Sequence, residues 1–256
     1  MALSDQEYIR YSRQVMLEQV GEQGQVTLKN SHIIVVGLGG LGCPALQYLA
    51  AAGIGQLTLI DDDKVDLSNL QRQVLYRANH IGKAKVDAAE QQLYGLNSQV
   101  KVISINKKVE QVNLAKLLTN ANLLLDCTDN VSSRYFINQA CQQAGVALVS
   151  AAAIGGNGQL AVFNFTQQKS PCYRCLYPEL DKQQGTENGA LNCQNSGVLG
   201  PVLGVMGSLQ AIEAIKLLTQ PEQVKANSLL LFDAWHLKFN AVKLNTNTLC
   251  VNCSEI

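Results

Sequence analysis

The 256-residue chain has no net charge, because 20 lysines and arginines offset 20 aspartates and glutamates. A balanced chain sets up no long-range field to draw in nucleic acid or an anionic membrane, so neither is expected as a partner. Any phosphate site has to be built locally. Long apolar runs are also missing, since Gly or Pro interrupts them well short of the roughly 18 residues a membrane-spanning helix needs. The first 30 residues carry charges throughout and lack the apolar centre of an export signal. A soluble, cytoplasmic protein is therefore expected, and its eight cysteines are expected as thiols, metal ligands or catalysts rather than disulfides. The three histidines, His32, His80 and His236, match no metal or triad spacing and read as structural. Trp235, the single tryptophan, falls in an apolar, strand-like stretch and needs no functional explanation.

What is present is an alternation. From Ser31 an apolar strand (Ile33 to Val36) leads into a glycine-rich turn, a helix (Pro44 to Ala52) and a second strand ending at Asp61. Helix signals follow at 83–97, 111–119 and 131–144, separated by apolar strands near 100–105, 122–126 and 146–149. That order implies a doubly wound, mostly parallel sheet. Beyond Ala151 the pattern changes to strands near 159–165 and 228–243 around a helix at 205–219, which suggests an antiparallel or mixed continuation of the sheet. One α/β domain is expected over 1–256, with an N-terminal helical arm (1–30), a nucleotide-binding half (31–150) and a substrate-facing half (151–256). The polar stretch between Cys175 and Cys193 reads as a mobile crossover loop.

The run Gly37-Leu38-Gly39-Gly40-Leu41-Gly42 satisfies GxGxxG between a strand and a helix, and Asp61 closes the next strand about 20 residues on. Glycines let the backbone approach phosphate, the helix N-terminus offers amides, and the carboxylate suits ribose hydroxyls. A nucleotide is expected. The fingerprint alone does not separate ATP from NAD, and tight strand-to-helix packing is a further alternative. Downstream, Ser68, Asn69, Leu70, Gln71 and Arg72 follow the ribose carboxylate, and Lys85 comes shortly after. Arg and Lys near one nucleotide suit charge building on phosphorus, which hydride transfer does not require. Asp129 and Asn130 follow an apolar strand; Asp129 is hard enough for Mg²⁺, and Asp-Asn before a helix is equally an N-cap signature.

The strings GLGGLG, DDDKVDLSNLQRQ, DCTDN, PCYRCLYP and GVLGPVLGVMGSLQAIEAIK, with RYSRQ at 10–14, resemble the ThiF/MoeB/HesA family, bacterial relatives of the ubiquitin-activating enzymes, over nearly the whole chain. The resemblance implies a Rossmann-like adenylyltransferase that activates the C-terminal glycine of a small ubiquitin-like sulfur carrier ending in Gly-Gly. It maps Gly40, Asp61, Asn69, Arg72, Lys85 and Asp129 onto ATP and Mg²⁺ contacts, with Ser68, Leu70, Gln71 and Asn130 lining the same pocket. It also implies a homodimer in which Arg13 reaches the partner subunit's ATP. The segments LSDQE and GCPALQYLA look MoeB-like, whereas DDDKVDLSNLQRQ and GVLGPVLGVMG look ThiF-like, so a MoaD-like and a ThiS-like carrier both stay open. With them stay open molybdopterin and thiamine synthesis. No rhodanese-like segment follows the last cysteines, which implies a separate sulfur donor. An NAD-dependent oxidoreductase and a non-catalytic carrier-binding scaffold are the alternatives from other classes.

Cys172-x-x-Cys175 and Cys250-x-x-Cys253 have the spacing by which two short turns offer four thiolates to one tetrahedral Zn²⁺. Closing the loop between them costs about 4 kcal/mol, well below the roughly 10–16 kcal/mol of structural zinc binding. Redox disulfides are the alternative reading, and the family resemblance points to zinc. Cys193 matches the family cysteine proposed to carry a thioester or acyl-persulfide, a catalytic role that a thiolate on a mobile segment suits. Cys43, Cys127 and Cys141 read as buried packing residues.

Overall fold

A computed structural model describes residues 2–166, 170–178 and 197–253. Cys193, and all but the first three residues of the loop expected at 176–192, lie outside the described residues.

Helix α1 (Asp5–Val15) opens on a capping box, in which the Glu7 amide donates to Ser4 Oγ and the Ser4 amide to Glu7 Oε2 at 2.7 Å. Glu7 also pairs with Lys29 at 2.8 Å, which ties α1 to α2 (Gly21–Lys29). Then come β1 (His32–Val36), α3 (Gly42–Ala52), β2 (Gln56–Ile60), α4 (Lys85–Leu96), β3 (Lys101–Ile105), α5 (Leu114–Leu118), β4 (Leu123–Asp126), α6 (Val131–Ala144) and β5 (Ala147–Ile154). The chain continues through β6 (Asn157–Phe163), α7 (Tyr173–Leu176), α8 (Gly200–Thr219), β7 (Ser228–Asp233) and β8 (Lys238–Lys243).

Among the described residues one eight-stranded sheet runs in the order β3-β2-β1-β4-β5-β6-β7-β8. The first five strands are parallel, and β5 to β8 pair antiparallel. Alternate residues of one strand serve opposite layers. Ile33 and Val35 join a cluster with α3, α4 and α8, while Ile34 and Val36 join one with α5 and α6. Because both faces are covered, β1 and β4 read as unbroken apolar runs rather than as alternating strands. The strand order reverses beside β1, between β2 and β4, and at such a point a doubly wound sheet opens a crevice at its carboxyl ends.

The structure departs from the sequence reading in four places. Helix α8 begins at Gly200, not 205, because Pro201 suits a first helical turn. Its 20 residues are long and apolar enough to cross a membrane, contrary to the expectation that no stretch is. It packs instead against α3, β5, β6 and α2, with Gly207 so close to α3 that a Cβ there would lie 2.3 Å from the Leu41 carbonyl oxygen. The helix expected at 111–119 shortens to α5, preceded by a 3-10 turn at Val109–Gln111, with Asn113 capping it through the Lys116 amide. The 228–243 stretch is two strands, and Trp235 sits in the turn between them, 73% exposed. Asp233 forces that turn by accepting from the amides of Trp235 and His236.

Candidate functional site

Gly37 leaves β1 at φ +89°, and a Cβ there would lie 2.7 Å from the Cys127 carbonyl oxygen. Gly42 approaches closer still: its Cβ would meet the Gly37 carbonyl oxygen at 2.1 Å. These two glycines are required by the tight turn, while Gly39 and Gly40 face outward into a cavity of about 550 Å³. Leu203 of α8 roofs the turn at Gly40. No side chain caps the start of α3, so the positive end of that helix opens into the cavity.

Asp61 ends β2 at the same opening. Its Oδ2 accepts from the Leu38 amide at 2.6 Å and its Oδ1 from the Asp63 amide at 2.8 Å, which locks the carboxylate against the glycine turn. Burial holds its pKa above the usual carboxylate range, with Lys85 opposing the rise. Lys85, the first residue of α4, is buried, and its ammonium pairs at 2.7 Å with Asp63, whose carboxylate is 66% exposed. A buried cation whose partner is largely in water is open to exchange for a bound anion. Arg72 lines the same cavity and donates from Nη1 to the Ser68 carbonyl at 2.9 Å.

At the end of β4 the cap and the cavity-facing carboxylate fall to different residues. Asn130 is the N-cap of α6, its side chain accepting from the Ser133 amide at 2.9 Å. Asp129 is exposed, faces the cavity and makes no hydrogen bond or ion pair among the described residues. A carboxylate without local duties, beside Lys85 and Arg72, fits a Mg²⁺ held with a triphosphate. Beneath it Asp126, fully buried, accepts from the amide and hydroxyl of Thr128 and from Ser150 Oγ.

Of the expected nucleotide residues, Gly37, Gly39, Gly40, Asp61, Arg72, Lys85, Asp129 and Asn130 line this one cavity. Gly42, Ser68, Asn69, Leu70 and Gln71 do not; Leu67–Asn69 form a 3-10 turn beside it. Arg13 is exposed on α1 and lies outside the cavity of its own chain. Gln73, Lys107, Lys108, Glu110 and Arg134 line it without having been singled out. The signal for the Lys107–Lys108 pair was its place just past β3, at the carboxyl edge of the parallel sheet. Gln73 is buried with its Oε1 unpartnered, a vacant acceptor at the cavity wall.

The two CxxC turns meet. The sulfurs of Cys172, Cys175, Cys250 and Cys253 all lie within 4.8 Å of one another, with separations of 3.9 Å (172 to 175), 3.7 Å (172 to 250) and 3.5 Å (175 to 253). Tetrahedral Zn²⁺ with bonds near 2.3 Å separates its sulfurs by about 3.8 Å, so the residues fit that ion. No disulfide links them. Burial pushes Cys172 up to about 11 and Cys253 up as well; at Cys250 burial is the largest influence and acts in the same direction, but the amides of Asn252 and Cys253 together with the Cys172 and Cys175 thiols outweigh it and the net shift is down. Four thiolates share this space only around a cation. Cys43, Cys127 and Cys141 are buried as expected, with burial pushing the Cys43 thiol up to about 12. The histidines are structural: His32 bridges the Asn120 carbonyl and Thr58, His80 is buried, and His236 pairs with Asp233.

Comparison with known proteins finds relatives over nearly the whole chain. A family model described as "ThiF family" matches residues 11–252. A molybdopterin-synthase adenylyltransferase of Salmonella typhimurium is 44% identical over 253 residues, covering 99% of each chain, and one of Escherichia coli is 45% identical with the same coverage. An "adenylyltransferase and sulfurtransferase MOCS3" of Culex quinquefasciatus is 41% identical over 99% of this chain, which spans 57% of that longer protein. Among solved structures, E. coli MccB with MccA-N7isoASN superposes with a TM-score of 0.81 at 23% identity, covering 98% of this chain and 75% of that one. That likeness speaks for the fold alone.

Proposed function

The chain belongs to the ThiF family and is an adenylyltransferase, and from that premise we propose that it uses ATP and Mg²⁺ to activate the C-terminal glycine of a MoaD-like sulfur carrier for molybdopterin synthesis. The observation that carries the reading is the convergence of Arg72, Lys85 and Asp129 on one cavity at the open end of α3. The names of the relatives support the molybdopterin pathway over thiamine synthesis, and a ThiS-like carrier is the second reading to be tested. No observation favours the NAD-dependent oxidoreductase or the scaffold.

In this mechanism a carboxylate oxygen of the terminal glycine attacks the α-phosphorus. The bond to the β-phosphate oxygen breaks, pyrophosphate leaves, and the carrier holds an acyl-adenylate. Asp61 binds the ribose hydroxyls, the glycine turn and α3 amides face the phosphates, and Lys85 exchanges Asp63 for them. Arg72 gives up the Ser68 carbonyl to meet the charge building on phosphorus. Asp129 would hold Mg²⁺, which when bound would supply further neutralisation of that charge. Arg13 acts in the partner subunit's cavity of a homodimer. The half from 151 to 256 receives the carrier, and its four-cysteine cluster holds Zn²⁺ as a structural ion. The Cys193 thiolate takes the acyl group from the adenylate as a thioester, releasing AMP, and sulfide-level sulfur from a separate donor then displaces the Cys193 thiolate to leave the carrier as a thiocarboxylate.

The test is carrier-dependent exchange of labelled pyrophosphate into ATP, with MoaD-like and ThiS-like carriers assayed separately. Exchange with the MoaD-like carrier alone is expected. Exchange with the ThiS-like carrier alone would move the protein to thiamine synthesis, and none with either would overturn the reading.

A further inference from the structure

The nucleotide cavity and the four-cysteine cluster are joined by one helix. Residues 134, 138 and 142 of α6 lie at four-residue spacing on one face, and each reaches a different level of the connection. At the cavity end Arg134 is buried, and its Nη2 donates to the Ala151 carbonyl at 2.8 Å and to the Thr128 carbonyl, the residue before Asp129. Nη1 donates to Ser150 Oγ at 3.4 Å, and Ser150 in turn donates to the buried Asp126 carboxylate at 2.9 Å. The guanidinium lies over the ring of Tyr173, 5.9 Å from its centroid. Tyr173 stands inside the first CxxC turn. In mid-helix, Asn138 Oδ1 accepts from the Tyr173 amide at 2.8 Å. At the far end Gln142 Nε2 donates to Cys253 Sγ at 3.4 Å.

The turn that carries Tyr173 is α7, four residues long. So short a helix does not hold its shape alone. It is placed by α6 on one side and, once the four sulfurs share a cation, by the second CxxC turn on the other. The Thr128 carbonyl is held by a guanidinium that bonds three groups at once, Nη2 to the Thr128 and Ala151 carbonyls and Nη1 to Ser150 Oγ, an array that the single nitrogen of lysine does not reproduce.

We propose that Arg134 is a positioning residue that sets Asp129 in the nucleotide cavity, and that it is braced by Tyr173, so that metal occupancy of the four-cysteine cluster and nucleotide binding are coupled through α6. The proposal rests on the reading of the cavity as a Mg²⁺–nucleotide site. Coupling between such sites is reciprocal, so each ligand strengthens the hold on the other.

The experiment titrates a non-hydrolysable ATP analogue into zinc-loaded protein with and without Mg²⁺, for wild type, Arg134→Lys, Asp129→Asn and the double variant. Arg134→Lys is expected to weaken binding about tenfold with Mg²⁺, to change it little without Mg²⁺, and to add nothing in the Asp129→Asn background. An equal loss with and without Mg²⁺, or full additivity, overturns the positioning role. Wild type that binds no analogue removes the nucleotide reading itself, a distinct failure. The second arm measures metal affinity by equilibrium competition with a chelator. The analogue with Mg²⁺ is expected to tighten it about tenfold in wild type and in Tyr173→Phe, and not in Tyr173→Leu. No tightening in wild type, or undiminished tightening in Tyr173→Leu, overturns the coupling.

Discussion

The nucleotide cavity and the four-cysteine cluster are built on opposite principles. The cavity gathers single residues from the ends of β1, β2, β3 and β4, and the backbone sets its shape before any ligand arrives: two close-packed glycines, a locked Asp61, an Asn130 cap. Its charged groups are left partly uncommitted. The cluster gathers four identical ligands from two short turns far apart in sequence, and burial works against ionising Cys172 and Cys253. The first region keeps charges available, whereas the second has four sulfurs placed where one ion would complete it. A doubly wound sheet preorganises a crevice through topology; a pair of CxxC turns has no such scaffold and relies on the metal.

Four changes test that contrast, from the largest expected effect to the smallest. Gly42→Ala places a Cβ against the Gly37 carbonyl, and the clash is expected to cost about 3 kcal/mol or more, read as a lowered thermal midpoint with or without nucleotide. A native-like midpoint would mean the turn is soft and the cavity not preformed. Cys172→Ser should release the metal and lower the midpoint by several degrees, with metal content measured by mass spectrometry; unchanged metal content would refute the four-thiolate site. In Arg72→Ala the fold should survive with the wild-type midpoint while pyrophosphate exchange falls about 10²- to 10³-fold. Wild-type exchange in that variant would remove Arg72 from the phosphate site. Asn130→Ala should cost only about 1 kcal/mol of stability through the lost cap, and chemical denaturation that leaves the midpoint unmoved would show that Asp129 takes over the cap.

Sequence reading succeeded where local rules and topology agree. GxGxxG between a strand and a helix required the turn that Gly37 and Gly42 make, and Asp61 at the next strand end had one place to go. The CxxC pairs named their own partners, because tetrahedral thiolate ligation needs four sulfurs and only these four share that spacing. It was weaker where one short segment decides its own shape. Ser68 to Gln71 were expected at the nucleotide, and Asp66 accepts from the Ser68 amide, which places a 3-10 turn at the start of that segment, outside the cavity lining. Trp235 was read as part of a strand, and Asp233 folds it into a turn. The resemblance to the ThiF family held over the chain, and the adenylyltransferase activity it implied agrees with the relatives.

By itself the sequence determined the layered α/β architecture, the place of the glycine turn and the make-up of the four-cysteine cluster, because each depends on residue type and short-range spacing. Only the tertiary structure decided that Lys85 meets Asp63, that Gln73 is left with a vacant acceptor, and that Arg134 reaches from the cavity to the first CxxC turn. Those outcomes depend on which side chains distant segments bring within hydrogen-bond reach. Packing settles that competition, and no local pattern records it.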